Sequence, residues 1–460
     1  MKKIIKIVKT VIKAIFGILG GIIGLAALLC AVTLAWSLVQ MSRGEVTEAL
    51  PVVPDDFVPE VRIVAFTDTH NENENVKQAI NAAYALFEDD GQYYGVDAFF
   101  GLGDFTSVGG ENDFIEYKKA LDECVREDTI MINVLGNHEM KTAEAPEYFV
   151  KHFGHEVNTV TEINGFTCIA FSGERWLTEW TVSPESVKWL SSEVEKAEEK
   201  AGDRPIFVFQ HPHPFGTVYG STIWCNPQMN MAFNGHNKVV DFSGHSHFPM
   251  NDPRSINQSD YTSVGVGAMA RFELDKNYVV GQHPEGYEDA IQFAVIEADS
   301  TGRVRIRGYD VISGTFFCDY FIENVNDRST FAYTYKNLKA HDTAPVFPSE
   351  INVTSTANED GGYRVEFTEA DAAEGFVVQN YTVKISDSKG KELYKEQFVA
   401  DYYIIDEDNT SGINVPAGIL ETGKDYLLEI TAESAYHKTQ KSGEIVFTVP
   451  GEIVFTVPAE

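Results

Sequence analysis

The chain has 460 residues, 36 Lys+Arg against 69 Asp+Glu for a formal net charge of −33, and 43% hydrophobic with 12% aromatic content. That composition is ample for packed cores and excludes a disordered chain, and the length accommodates two or three domains. The acidic excess repels duplex nucleic acid and anionic lipid; five cysteines are too few and too scattered for a disulfide scaffold, and no pair has zinc-site spacing.

Residues 1–43 differ sharply from the rest. Lys2, Lys3, Lys6, Lys9 and Lys13 precede 26 uncharged residues, Ala14 to Val39. As a helix these reach about 39 Å, against roughly 30 Å of hydrocarbon. The apolar core is too long for a cleaved signal peptide, "VTLAWSLVQ" offers a poor cleavage site, and the bulky Leu28 and Leu29 precede Cys30 where lipid attachment needs small residues. The reading is an uncleaved signal anchor: one transmembrane helix, lysines cytoplasmic, and everything after Arg43 outside, a single-pass arrangement in the cell membrane. Residues 44–60, with Pro51, Pro54 and Pro59, read as a tether.

The folded body begins at Val61. "VRIVAFTDTH" is a buried strand, followed by a helix with apolar residues at Val76, Ile80, Ala83, Tyr84 and Phe87. "VDAFFGLGD" is a strand, "FIEYKKALDECV" a helix and "TIMINVLGNHE" a strand. Such alternation predicts an α/β domain with a largely parallel core over 61–335. Then come "TCIAFSG", a helix from Pro184 capped by Ser183, "PIFVFQHPHP", "KVVDFSGHSH" and the hairpin-like pair "IQFAVIEA" and "RVRIRGYDVI". Over 345–450 short alternating segments separated by turns predict an all-β sandwich of immunoglobulin or fibronectin type III kind. It carries no cluster of chemical residues and reads as a spacer or binding module. "GEIVFTVP" at 443–450 recurs letter for letter at 451–458. A sandwich has one slot for its last strand, so residues 451–460 read as surplus.

The strand ends carry the chemistry. "TDTH" puts Asp68 and His70 on one side of an extended segment, because side chains alternate with period two. "GLGD" ends on Asp104, "GNHE" supplies Asn137 and His138, and "SGHSH" supplies His245 and His247. "QHPHPFG" offers His211 and His213, of which His211 lies directly at the strand end. In an open α/β sheet the carboxyl ends of the strands share a rim, where these groups converge. Carboxylate, imidazole and amide in such number suit a pair of divalent cations.

With these motifs the chain resembles the calcineurin-like metallophosphoesterases over about residues 61–314. The resemblance implies a four-layer α/β/β/α sandwich and a dinuclear site for two divalent metal ions (Mn, Fe, Zn or Mg). It implies that Asp68, His70 and His247 hold one metal, that Asn137, His211 and His245 hold the other, and that Asp104 bridges them. His138 would bind no metal and would face the substrate as the catalytic residue, stabilising the transition state or protonating the departing alkoxide, with a metal-activated water attacking phosphorus. Asn71 stands where many relatives have glycine. His213 and Arg175 are candidates for holding substrate, a surface ion pair being the plainer reading of Arg175. The function read from this is a membrane-anchored, outward-facing metal phosphoesterase acting on a small phosphoester, a phosphodiester or phosphomonoester with nucleotides among the candidates; the ligands do not choose between monoesters, diesters and pyrophosphates. The rival is a cell-surface adhesion protein whose phosphoesterase-like domain only binds metal.

Overall fold

The computed structural model describes residues 43–173, 182–276, 279–406 and 408–449, without the side chains of 276 and 279–282. The expected membrane span at 14–39, Arg175 and the second copy of the terminal repeat lie outside the described residues. Among the described residues no helix is long and apolar enough to cross a membrane.

The first part of the chain runs β1 (Val61–Phe66), α1 (Asn73–Phe87), β2 (Ala98–Gly101), α2 (Glu111–Cys124), β3 (Ile130–Asn133) and α3 (Ala145–Phe153). It continues through β4 (Asn158–Ile163), β5 (Phe166–Phe171), α4 (Pro184–Ala201), β6 (Ile206–Phe209), the two-residue strands β7 (His213–Pro214) and β8 (Cys225–Asn226), and α5 (Met229–Phe233). Next are β9 (Val239–Ser243), β10 (Ile256–Gln258), β11 (Thr262–Gly265), β12 (Leu274–Lys276) and β13 (Val279–Gln282). β14 (Gln292–Ala298), β15 (Val304–Asp310), β16 (Thr315–Ile322) and α6 (Tyr335–His341) complete this domain.

Two six-stranded sheets result, ordered β16-β15-β14-β1-β2-β3 and β10-β11-β9-β6-β5-β4. Alternation along β1 decides what each sheet face meets. Val61, Ile63 and Ala65 point into the core between the sheets, where Phe100 stacks on Phe209 with centroids 3.8 Å apart. Val64 and Phe66 point the other way, against Ile80, Ala83 and Phe114 of α1 and α2. On the far side Ile169 and Val208 meet Leu190 and Val194 of α4. The domain is therefore a four-layer α/β/β/α sandwich. Ser183 Oγ accepts from Ser186 N at 3.1 Å, capping α4 where Ser183 and Pro184 predict its start.

The sheets are mixed rather than largely parallel. β1, β2 and β3 run parallel, but β14 pairs with β1 antiparallel and starts a meander through β15 and β16. A run such as "IQFAVIEA" is buried on both faces, and its composition does not distinguish the two pairings.

The second domain comprises β17 (Val353–Ala357), β18 (Tyr363–Thr368), β19 (Val378–Asp387), β20 (Glu392–Val399), β21 (Thr410–Val415), β22 (Asp425–Ser434) and β23 (Thr439–Thr448). They form antiparallel sheets of order β17-β18-β21 and β20-β19-β22-β23 around Phe367, Tyr381, Leu428 and Ile430. The first "GEIVFTVP" supplies the end of β23, paired to β22.

Two expectations need correcting. The tether is pinned along the first domain: Thr47 N donates to Asn337 Oδ1 at 2.8 Å, and Phe57 is buried edge-on to Phe321. Nor is the sandwich a detached spacer, since Val399 and Tyr403 pack into one cluster with Phe248, Phe272 and Leu274. Gln379 Nε2 also donates to Tyr219 Oη (2.6 Å) and Asp275 Oδ1 (2.8 Å). Cys124, Cys168, Cys225 and Cys318 are free thiols.

Candidate metal centre

Asp68 and His70 follow β1, Asp104 follows β2, Asn137 and His138 follow β3, His211 follows β6, and His245 and His247 follow β9. β1 to β3 in one sheet and β6 and β9 in the other deliver these loops to a common rim. The turn there is tight. Asp68, His70, Asp104, His245 and His247 all have positive φ, from 43° to 73°. Left-handed backbone at non-glycine residues costs on the order of 1–3 kcal/mol each and persists only where the surroundings over-determine it. Asn71, standing in a glycine position, has φ 76° and stays there because its side chain ties the turn: Oδ1 accepts from Ser107 N (2.5 Å) and Nδ2 donates to Asp113 Oδ1 (2.9 Å).

Close approach demands glycine beside the ligands. A Cβ on Gly103 would sit 2.7 Å from Gly136 N, and one on Gly136 would sit 2.9 Å from Asp104 Cγ. On Gly244 it would lie 2.6 Å from Asp68 Oδ2. The first would part the Asp104 and Asn137 loops, and the other two would push a carboxylate out of place.

Hydrogen bonds on the far sides of the rings fix which nitrogen faces inward. His211 Nδ1 lies 2.7 Å from Leu102 O, so Nδ1–H donates there and Nε2 turns to Asp104 Oδ2 and Asn137 Oδ1, each at 3.1 Å. His247 Nδ1 donates to Arg271 O at 2.9 Å, and its Nε2 lies 3.1 Å from both Asp68 Oδ1 and His70 Nε2. With His211 and His247 neutral in these tautomers, each Nε2 turns a lone pair toward carboxylate or amide oxygen, a repulsive arrangement unless positive charge lies between them. Asp68 Oδ1 is buried and takes no hydrogen bond.

The carboxylates favour positive charge on the imidazoles that face them. Burial acts to lower the His211 imidazole, but Asp104 and Asp68 outweigh it and lift it to about 9. His247 is raised against its burial by Asp68. Burial works to raise Asp104, yet His211 holds it below the ordinary carboxylate range. His70 is driven down to about 3 by burial and by His247. The donor set therefore fits divalent cations. Asp68, His70 and His247 make one group within reach of a single ion, and Asp104, His211 and His245 another. Asn137 adds its oxygen to the second, and Asp104 also groups with His70 and His138. Among the described residues, every such group of His, Cys, Asp or Glu lies in this cluster.

His138 is half-buried, its Nδ1 on Ser107 O at 2.8 Å and its Nε2 4.0 Å from Asp104 Oδ2. Burial holds its imidazole below the usual value, so the ring is largely neutral at neutral pH. His213, expected either behind the ligands or near substrate, is fully buried: Nδ1 meets Ser243 Oγ and Nε2 meets Ser246 Oγ, both at 2.8 Å. With both nitrogens engaged it steadies the loop carrying His245 and His247, and the structure brings His211, not His213, into the cluster.

Glu139 is the residue that sequence reasoning passed over. Fully buried, it takes Asp104 N (2.9 Å) and Gly136 N (2.7 Å) on Oε2, and Thr106 N (2.7 Å) and Thr106 Oγ1 (2.8 Å) on Oε1. It clamps the Asp104 loop to the Asn137 loop. Its place as the last letter of "GNHE" was the available signal.

No family model and no curated protein matches the chain. Similar solved structures include a purple acid phosphatase from yellow lupin (Lupinus luteus) seeds, with 13% identity, 59% of this chain and 55% of that one covered, and a TM-score of 0.41. A putative 5′-nucleotidase from Staphylococcus aureus shows 11% identity, 71% and 74% coverage and a TM-score of 0.31. The sixth fibronectin type III domain of a human protein shows 13% identity, 25% and 96% coverage and a TM-score of 0.15. The chain spans about half the length of the lupin enzyme.

Proposed function

We propose that the protein is a two-metal phosphoesterase held on the outer face of a membrane by residues 14–39. One observation carries the reading: side chains from five strand ends converge into groups whose ligand atoms lie within reach of a single ion. Asp68, His70 and His247 would hold one divalent ion, Asn137, His211 and His245 the other, with Asp104 between them. Two such ions supply an activated water and a cationic seat for phosphoryl oxygens.

The chain's own residues do the rest. Asp68 and Asp104 set the charge of the site, and Glu139 fixes the spacing of Asp104 and Asn137. His138, tethered through Nδ1 to Ser107, keeps Nε2 for the substrate. Protonated at that atom, it hands a proton to the departing alkoxide. The acidic body, 30 Lys+Arg against 64 Asp+Glu after residue 60, favours a small phosphoester over duplex nucleic acid.

The test is turnover of phosphomonoesters, phosphodiesters and nucleotide pyrophosphates by the full chain in detergent with manganese, iron, zinc or magnesium. Hydrolysis of at least one class is expected. Metal binding without turnover of any phosphorus ester would leave the adhesion reading in its place.

A further inference from the structure

Between β11 and β12 the chain passes back beside His247. Arg271 O accepts from His247 Nδ1 at 2.9 Å, and Glu273 N donates to His247 O at 3.2 Å. Phe272 and Leu274 alternate with these two residues and are buried in the cluster that joins the domains. Period two therefore leaves Arg271 and Glu273 on the other side, partly exposed. Arg271 Nε lies 3.2 Å from Glu273 Oε1, and Phe272 N donates to Tyr287 O at 2.7 Å, bringing the stacked Tyr287 and His283 rings alongside. Among the described residues none binds the terminal nitrogens of Arg271.

Because the Arg271 carbonyl holds the ring of His247, this side chain starts at the edge of the cluster. Glu273 meets Nε and leaves the terminal nitrogens to an anion that would lie between this cation and those of the site. A planar guanidinium fork matches a phosphoryl group in two hydrogen bonds at once.

We propose that Arg271 determines specificity by binding a second phosphoryl group of the substrate, beyond the phosphorus under attack. The site then prefers pyrophosphate-type compounds, such as nucleoside diphosphates, to esters with a single phosphate. Glu273 aims the fork by holding Nε. The proposal rests on the phosphoesterase reading for its substrate but not for its test.

The test compares wild type, Arg271→Ala and Arg271→Lys as manganese-loaded full chains. Calorimetry reads the binding of inorganic pyrophosphate and of inorganic phosphate, and kinetics read ADP against p-nitrophenyl phosphate. Arg271→Ala is expected to weaken pyrophosphate at least about tenfold more than phosphate, and to raise KM for ADP in the same proportion. Arg271→Lys should fall between, keeping the charge without the fork. Equal weakening of both anions, a wild type that binds pyrophosphate no tighter than phosphate, or lost manganese in Arg271→Ala would overturn the proposal. Differential binding in a wild type that hydrolyses neither ester would refute the phosphoesterase reading and leave the anion subsite standing.

Discussion

Replacing Glu139 by Gln tests whether the metal centre depends on a residue that touches no substrate. The carboxylate is fully buried and faces four donors: the N–H groups of Asp104, Gly136 and Thr106, and the Thr106 hydroxyl. Burial and the Asp104 charge push its pKa up to about 7, but the pocket offers only donors, so it is shaped for the anion. A cation on Asp104 removes the opposing charge. Glutamine must turn its NH2 toward one pair of donors. The cheaper choice faces Thr106, whose hydroxyl can rotate to accept, leaving one backbone N–H without a partner. An orphaned buried donor costs about 1–3 kcal/mol, and the remaining bonds lose the help of a full charge, so the total is roughly 2–5 kcal/mol. Urea unfolding of the metal-loaded protein at pH 8 measures it, and metal content should fall in parallel as Asp104 shifts. A loss below about 0.5 kcal/mol with both metals retained would show that the residue is a protonated acid that glutamine mimics, and would refute the clamp.

His138→Ala should keep both metals and lose turnover by roughly 100-fold or more, read by steady-state kinetics with metal analysis. Because burial holds the His138 imidazole low, its protonated fraction shrinks as pH rises, so wild-type turnover of alkyl esters should decline toward alkaline pH and the variant should lack that limb. His211→Ala should lose about one metal per chain, whereas His213→Ala should retain both while loosening the loop it braces between Ser243 and Ser246; a single-metal His213→Ala would exchange the roles. Asp241, fully buried with Oδ1 2.6 Å from Gln210 Nε2, is pushed by burial up to about 7. Its folded pKa exceeds the unfolded one, so folding takes up a proton between about pH 4 and 7 and stability falls across that window, by an amount on the order of 4 kcal/mol. Asp241→Asn should flatten that decline in pH-dependent denaturation, and an unchanged profile would assign it elsewhere.

What could be read from the sequence was whatever one short segment encodes by itself. "VRIVAF" is apolar but for Arg62, because one face meets the other sheet and one meets α1 and α2, and such runs show without a structure. The polar groups after them were conspicuous because each closes an apolar run. Pairings between distant segments left no such mark. The antiparallel meander joins Val61 to Ala298, and local composition does not record that partner. Nor do Tyr402 and Asn251 announce their contact, Asn251 Nδ2 donating to Tyr402 O at 2.7 Å across 151 residues. Glu139 was hidden for another reason: a carboxylate that receives hydrogen bonds from backbone looks, in sequence, like any charge in a turn.

Metal stoichiometry tests the two-metal claim most directly. The full chain, stripped by chelator, reloaded with manganese and freed of excess, should return two metal ions per chain by inductively coupled plasma mass spectrometry. Asp104→Asn, lacking the carboxylate placed between the two groups, should return fewer than one. Equal metal content in the two proteins, or none above background in the wild type, would contradict the account.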